Sequence, residues 1–178
     1  MLNCFNSVYK GKKVLITGHT RFKGTWLTVF LKQLGAEILG YSVDIPTNPS
    51  LFDIISLKDK IVHVKGDILD ENRLLSTFQD FQPEFVFHMA AQPLVRLSYS
   101  EPKLTYETNV IGTVNLLEAV RKTKSVRVVI NVTSDKCYEN KEWVHGYREV
   151  DSLGGDDPYS SSKGCAEIIT SAYRSSFF

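Results

Sequence analysis

An α/β domain built on a doubly wound parallel sheet is the fold this sequence predicts, and three observations predict it. Short apolar runs alternate with stretches of helical periodicity from end to end. The runs are near-continuous in apolar character, as in strands covered on both faces. A glycine-bearing stretch, TGHTRFKG over residues 17–24, closes the first run and opens the first helix.

The elements follow in order. Lys13 to Thr17 is a short apolar run read as a buried strand. Trp26, Leu27, Phe30, Leu31 and Leu34 recur at helical spacing until Gly35 stops the helix. A second strand spans Glu37 to Val43 and ends at Asp44, and IPTNPSLFD reads as a loop. Ile61 to Val64 makes a third strand ending in Gly66-Asp67, and Leu74, Leu75 and Phe78 stripe a short helix. Glu84 to His88 is a fourth strand running into Met89-Ala90-Ala91. Val110, Val114, Leu117 and Val120 stripe the next helix, Val126 to Val132 is a β-branched fifth strand, and Pro158 to about Arg174 forms a last helix. There is no internal repeat and no low-complexity tract. In such a sheet ligands bind outside the carboxyl ends of the strands, so chemistry is expected at Gly18 to Gly24, Asp44, Asp67, Ala90-Ala91 and Thr133 onward.

Composition narrows the function classes. The 178 residues suffice for one domain with a core. Lys plus Arg number 21 against 20 Asp plus Glu, so net charge gives no argument for nucleic acid or an anionic membrane as partner. No run approaches the roughly 18 apolar residues of a membrane span. The start, MLNCFNSVYKGKK, lacks the apolar stretch of a signal peptide, which makes a cytoplasmic location the expectation. Cys4, Cys137 and Cys165 are odd in number and far apart with no CxxC, a pattern of reduced thiols rather than of disulfides or a metal site.

Three motifs carry chemistry. A strand-to-helix glycine loop presents helix amino-terminal amides to a pyrophosphate. Asp44, 20 residues past Gly24, stands where a carboxylate would accept hydrogen bonds from an adenosine ribose. That carboxylate would repel a 2′-phosphate, which favours NAD over NADP in a Rossmann-like site. Asp67 reaches toward an adenine or caps the following turn; both readings stand. Downstream, Tyr159 and Lys163 lie one helical turn apart on one face. An ammonium beside a phenol stabilises the phenolate, bringing a pKa of about 10 toward the range of a working base. Thr133-Ser134-Asp135-Lys136 ends the fifth strand with a hydroxyl, a carboxylate and an amine. By itself that turn is a self-capping surface ion pair; with the Tyr-Lys pair it becomes a candidate site.

The blocks TGHTxFKGxWL, YSxDxPTNPSLF, FHMAAQPLVRxSY, NVxGTxNLLEA and TSDKCYEN followed by DPYSSSKGCAE closely resemble the CDP-glucose 4,6-dehydratases, a family of hydro-lyases among the extended short-chain dehydrogenase/reductases. The likeness runs from about Lys12 to the last residue. It implies NAD held by Gly18, Thr20, Arg21, Phe22, Lys23, Gly24, Asp44, Asp67, Ile68, Ala90, Ala91, Tyr159 and Lys163, with no metal. It implies catalysis by Ser134, Asp135, Lys136, Tyr159 and Lys163 on CDP-glucose, giving CDP-4-dehydro-6-deoxyglucose, a precursor for lipopolysaccharide and other surface sugars. Related dTDP-glucose and GDP-mannose dehydratases resemble this chain except for Glu at the place of Lys136, so Asp-Lys points to the CDP-sugar branch. The family's paired helices imply a possible homodimer through the helix striped by Val110 to Val120 and the Tyr159 helix.

Two departures from the family stand out. Arg21 fills the place of its second glycine, where backbone and pyrophosphate come close. Steric crowding there predicts weakened NAD binding; the alternative is a guanidinium that swings out to pair with a phosphate or with a 2′-phosphate. His145, where the family tends to have Trp, is expected at the surface. Members of the family are also roughly twice as long, so these residues correspond to the NAD-binding half, with about five strands, and the later strands and sugar-nucleotide domain fall outside them. The competing readings are a non-catalytic nucleotide-binding remnant, and another nucleotide-sugar dehydratase or epimerase.

Overall fold

The computed structural model describes residues 4–178. Five parallel strands form one sheet: β1 (Lys13–Thr17), β2 (Glu37–Ser42), β3 (Val62–Lys65), β4 (Phe85–His88) and β5 (Val128–Asn131). Their order across the sheet is β3-β2-β1-β4-β5. The order reverses beside β1, where Thr17 stands opposite Tyr41 of β2 and His88 of β4. The chain therefore leaves β1 at the switch point, and a crevice opens there between loops that diverge in opposite directions.

Helices cover both faces. One core gathers Leu15, Leu39, Tyr41, Leu74, Phe78, Val86 and Leu116; the other gathers Val14, Ile16, Leu31 and Ile38. Alternate residues of β1 serve opposite cores, which is why the run shows no polar side. Helix α1 (Phe22–Gln33) ends as expected: Gly35 adopts φ +87° and its amide bonds the Lys32 carbonyl at 3.0 Å.

The apolar stripe of α1 is buried only in part: Leu27, Leu31 and Leu34 pack on the second core. Gly24, Thr25, Thr28 and Leu31 are buried, whereas Trp26 and Phe30 are 54% and 41% exposed. The reason is proximity: a Cβ on Gly24 would lie 2.2 Å from the Gly18 carbonyl oxygen, so only small side chains fit where this helix leaves the loop. The two threonines satisfy their hydroxyls on the carbonyls of His19 and Gly24.

Three further elements fall where the sequence pattern shows none. Helix α2 (Leu51–Ile54) lies inside the stretch read as a loop, capped by the Ser50 hydroxyl accepting from the Asp53 amide at 3.0 Å. After α3 (Glu71–Phe81), helices α4 (Val95–Ser100) and α5 (Pro102–Tyr106) lead through a π-helical turn, Glu107–Ile111, into α6 (Gly112–Arg121). Helix α7 (Pro158–Phe177) is capped by Asp157, which accepts from the Ser160 amide at 3.0 Å. Among the described residues no helix is long and apolar enough to cross a membrane, and no cluster of His, Cys, Asp and Glu could hold a metal.

Candidate active site at the carboxyl edge of the sheet

The glycine loop occupies the switch point, and its two glycines are there for different reasons. Gly18 has φ +74°, and a Cβ on it would meet the backbone of Met89 and Ala90 at 2.9 Å. Gly24 is held against the backbone of Gly18 as described above. Between them Arg21 has φ −86° and ψ 162°, ordinary extended backbone, and forms the amino cap of α1 without a side-chain bond. The loop conformation itself makes no demand for glycine at that position. The guanidinium swings outward, with Nη2 3.9 Å from the Asp44 carboxylate. The first turn of α1 carries no acidic residue, and no side chain caps its amides.

A cavity of about 330 Å³ opens beside this loop. Gly18, Thr20, Arg21, Asp44, Asp67, Ile68, Ala90 and Ala91 all line it, bringing together eight residues that lie on four separate loops. Phe22 and Lys23 do not line it; both side chains are solvent-exposed in the first turn of α1 and offer only their amides. Asp67 borders the cavity, and its Oδ1 accepts from the Leu69 amide at 3.0 Å within its own turn. The cap of α3 is Asp70. Ile68 is buried in the core and faces Gly112, where a Cβ would come within 2.4 Å of the isoleucine.

Beneath the loop lies a polar lattice that pattern reading missed. Thr20 donates to the Asp44 carbonyl at 2.6 Å, fixing the end of β2 to the loop. His19 is fully buried, with Nδ1 2.9 Å from the Ser42 hydroxyl and Nε2 2.8 Å from His63 Nδ1. Burial, then the charge of His63, pushes His19 down to about 3. Gly40 makes room for this ring: a Cβ there would meet it at 2.3 Å. Thr17 bonds His88 Nδ1 at 2.8 Å and accepts from the amides of Met89 and Ala90, which sets the β4 loop against the glycine loop.

The second half of the site is carried by α7. Thr133 donates to Glu167 in a short contact, and Asn131 donates to Thr170 at 2.9 Å, so the helix runs antiparallel to β5. Counting back from Glu167 at 1.5 Å per residue puts Lys163 roughly 6 Å and Tyr159 roughly 12 Å further along, past the carboxyl tip of the strand. That is the end where Ser134, Asp135 and Lys136 form a tight turn, Ser134 accepting from the Lys136 amide at 3.2 Å. Gly164 lets the helix settle on this turn, its Cβ position only 3.3 Å from the Cys137 carbonyl. Asp135 and Lys136 are exposed, Ser134 and Tyr159 half-buried, and Lys163 buried. Burial pushes the Lys163 ammonium below the usual lysine range, while Glu167 acts in the opposite sense.

Asn109 ties the two halves together and was absent from the sequence-derived site. Its Oδ1 accepts from the Gln92 amide at 2.8 Å, and its Nδ2 donates to the Gln92 carbonyl and to Ser162 Oγ at 2.9 Å. It sits in the π-helical turn, a distortion that recurs at functional sites. A signal was present in the sequence: Asn109 and Thr113 are polar at i, i+4 on an otherwise apolar face. Cys137 is buried, and burial raises its thiol, which keeps it protonated; Cys165 is also a free thiol. The side chain of Cys4 lies outside the described residues. His145 is exposed, as expected.

The switch-point glycine loop, the carboxylate ending β2 and the Tyr-Lys helix beside β5 together define a Rossmann-type dinucleotide fold of the short-chain dehydrogenase/reductase kind. The sequence matches the GDP-mannose 4,6 dehydratase family over residues 15–177, and the chain belongs to that family. It is 56% identical over 170 residues to CDP-glucose 4,6-dehydratase of Salmonella typhimurium, covering 96% of this chain and 47% of that protein. It is 31% identical to GDP-mannose 4,6-dehydratase of Vibrio cholerae, covering 93% of this chain and 46% of the relative. Among solved structures, UDP-glucose 4-epimerase of Brucella ovis in complex with NAD superposes with TM-score 0.82 at 28% identity, over 94% of this chain and 49% of that one. The chain thus spans about half the length of the relatives it matches.

Proposed function

We propose that this chain is the cofactor-binding and proton-transfer half of an NAD-dependent CDP-glucose 4,6-dehydratase. The single observation that carries the reading is the docking of the Tyr159–Lys163 helix on the Ser134-Asp135-Lys136 turn; neither Tyr159 nor Lys163 lines the cavity of the glycine loop and Asp44, but Asn109 joins their helix to Gln92, which does. The degree of likeness to the Salmonella dehydratase supports CDP-glucose over other sugar nucleotides, and the NAD in the Brucella epimerase complex supports the cofactor.

The residues present fit a dinucleotide. Gly18 and Gly24 let the loop pack tightly on Met89-Ala90 and on itself, the first turn of α1 carries no acidic residue and no side-chain cap, and Asp44 brings a carboxylate to the cavity that would suit a ribose. NAD, when bound, would supply a reversible hydride acceptor and donor for the sugar. This chain moves the protons. Tyr159 removes the proton of the C4 hydroxyl, with Ser134 donating a hydrogen bond and the buried Lys163 stabilising the phenolate. The C4 ketone acidifies C5–H; Lys136 takes that proton while Asp135 protonates the departing C6 hydroxyl, which leaves as water, and Lys136 gives the proton back to C5 as C6 is reduced. The overall reaction is loss of water with no net redox change. The location is cytoplasmic, the product feeds surface-polysaccharide synthesis such as lipopolysaccharide, and the protein pairs as a homodimer.

The test is incubation with CDP-glucose and NAD, following the absorbance of the 4-keto product in alkali. The chain is assayed alone and joined to the carboxyl-terminal half of the Salmonella relative. Turnover by the joined protein, reduced at least about 100-fold by Tyr159→Phe, is the expected result. A joined protein that stays inactive with glycine restored at 21 would remove the assignment.

A further inference from the structure

Arg21 and Asp44 face each other across the rim of the cavity, and their arrangement bears on which dinucleotide the site accepts. This inference rests on the cofactor reading above. The backbone at Arg21 is unstrained, so the side chain is free to serve a ligand. Its guanidinium points to the end of β2, the place of an adenosine ribose, and stops 3.9 Å from the Asp44 carboxylate without a hydrogen bond as close as those elsewhere in the site. Both side chains are substantially exposed, at 39% and 55%. A loose, wet pair of this kind contributes little to folding and is readily opened.

The far side of Asp44 is also basic. A second groove is lined by Ser42, Asp44, Ile45, His63 and Lys65, so Asp44 shares one groove with Lys65 and the other with Arg21 and a second carboxylate, Asp67. A carboxylate alone at this point selects a free 2′-hydroxyl by repelling a 2′-phosphate. With a guanidinium opposite, that repulsion is offset, and the fork of donors matches phosphate geometry.

We propose that Arg21 broadens the site to 2′-phosphorylated dinucleotides, so that this chain binds NADP as well as NAD. In the NADP complex the guanidinium leaves Asp44 and pairs with the 2′-phosphate. In the NAD complex it competes with the ribose hydroxyls for the same carboxylate. Arg21 therefore acts with opposite sign on the two ligands.

Calorimetric titration of the chain with NAD and with NADP tests this directly, without turnover. The expected result is an NADP affinity within about tenfold of that for NAD. Arg21→Gly should weaken NADP by about tenfold or more, the size of one charge-assisted hydrogen bond, while tightening NAD. Arg21→Lys should keep part of the NADP affinity. Raising salt should weaken NADP more than NAD. The proposal is overturned if NAD binds while NADP binds more than 100-fold weaker, or if Arg21→Gly moves both affinities in the same direction. Failure of both dinucleotides to bind would overturn the cofactor reading itself, a result distinct from loss of NADP alone.

Discussion

Gly18, Gly24 and Arg21 show how three nearby positions in one loop obey different physical rules. The outer two lack side chains because backbone lies within 3 Å of any Cβ, and Gly18 also has positive φ. Gly24→Ala is therefore expected to destabilise the fold by about 1–3 kcal/mol through overpacking, read as a lowered urea midpoint, whereas Arg21→Gly should leave that midpoint within about 0.5 kcal/mol. The buried histidines supply a second residue-scale outcome. His19 and His88 are each held near 3, chiefly by burial, with His63 and Lys163 adding to the respective effects. Both stay neutral in the native state while the unfolded chain protonates near 6.5. Their contribution is intact above that pH and is lost as pH falls toward 3, at up to about 1.4 kcal/mol per pH unit for each ring. Urea unfolding at pH 7 and pH 5 should show the drop, and His88→Asn should flatten the slope by about half. An unchanged midpoint across that window would contradict this account.

Element by element, polar side chains rather than apolar ones set the angles at which the pieces of the site meet. Helix α7 is placed on β5 by Thr133–Glu167 and Asn131–Thr170, and on the π-helical turn by Asn109–Ser162. Removing Asn109 would leave the Gln92 amide and carbonyl buried without partners. Asn109→Ala is therefore expected to cost about 2–3 kcal/mol, more than an average hydrogen bond. It should also increase amide hydrogen exchange in the Gln92 loop and the first turns of α7, a local effect that a uniformly destabilised fold would not produce. The amino cap behaves similarly: burial alone would raise the Asp157 carboxyl, yet the Ser160 hydroxyl and amide hold it below the usual range. Asp157→Ala should cost about 1 kcal/mol.

At the scale of the molecule, the apolar surface is unevenly distributed. The stripe Leu116, Leu117 and Val120 of α6 faces the core and is unavailable for association. The exposed apolar residues of this region instead sit on neighbouring elements: Leu104 on α5, Ile111 in the π-helical turn and Ile168 on α7. These elements touch, with Tyr106 and Ser161 hydroxyls 2.6 Å apart. If pairing of chains uses this side, Ile111→Glu combined with Ile168→Glu should convert a dimer to a monomer in light scattering. A doubly substituted protein that remains dimeric would place the contact elsewhere.

What residues 1–178 determined by themselves was the sequence of strands, the glycine loop and the two chemical motifs. Each rests on local order: apolar runs of strand length, a turn between strand and helix, and two side chains one helical turn apart. Tertiary structure decided the rest. The apolar stripe of α1 marked the buried face only in part: Leu27, Leu31 and Leu34 pack on the core, but close contact between Gly24 and Gly18 admits threonines and leaves Trp26 exposed. Asn109, Thr17 and His19 have partners 17 to 73 residues away, and no periodicity encodes such pairs. The outward swing of Arg21 toward Asp44 belongs to the same class. It exists because parallel strands β1 and β2 end side by side, so that a residue just past one meets the carboxylate just past the other.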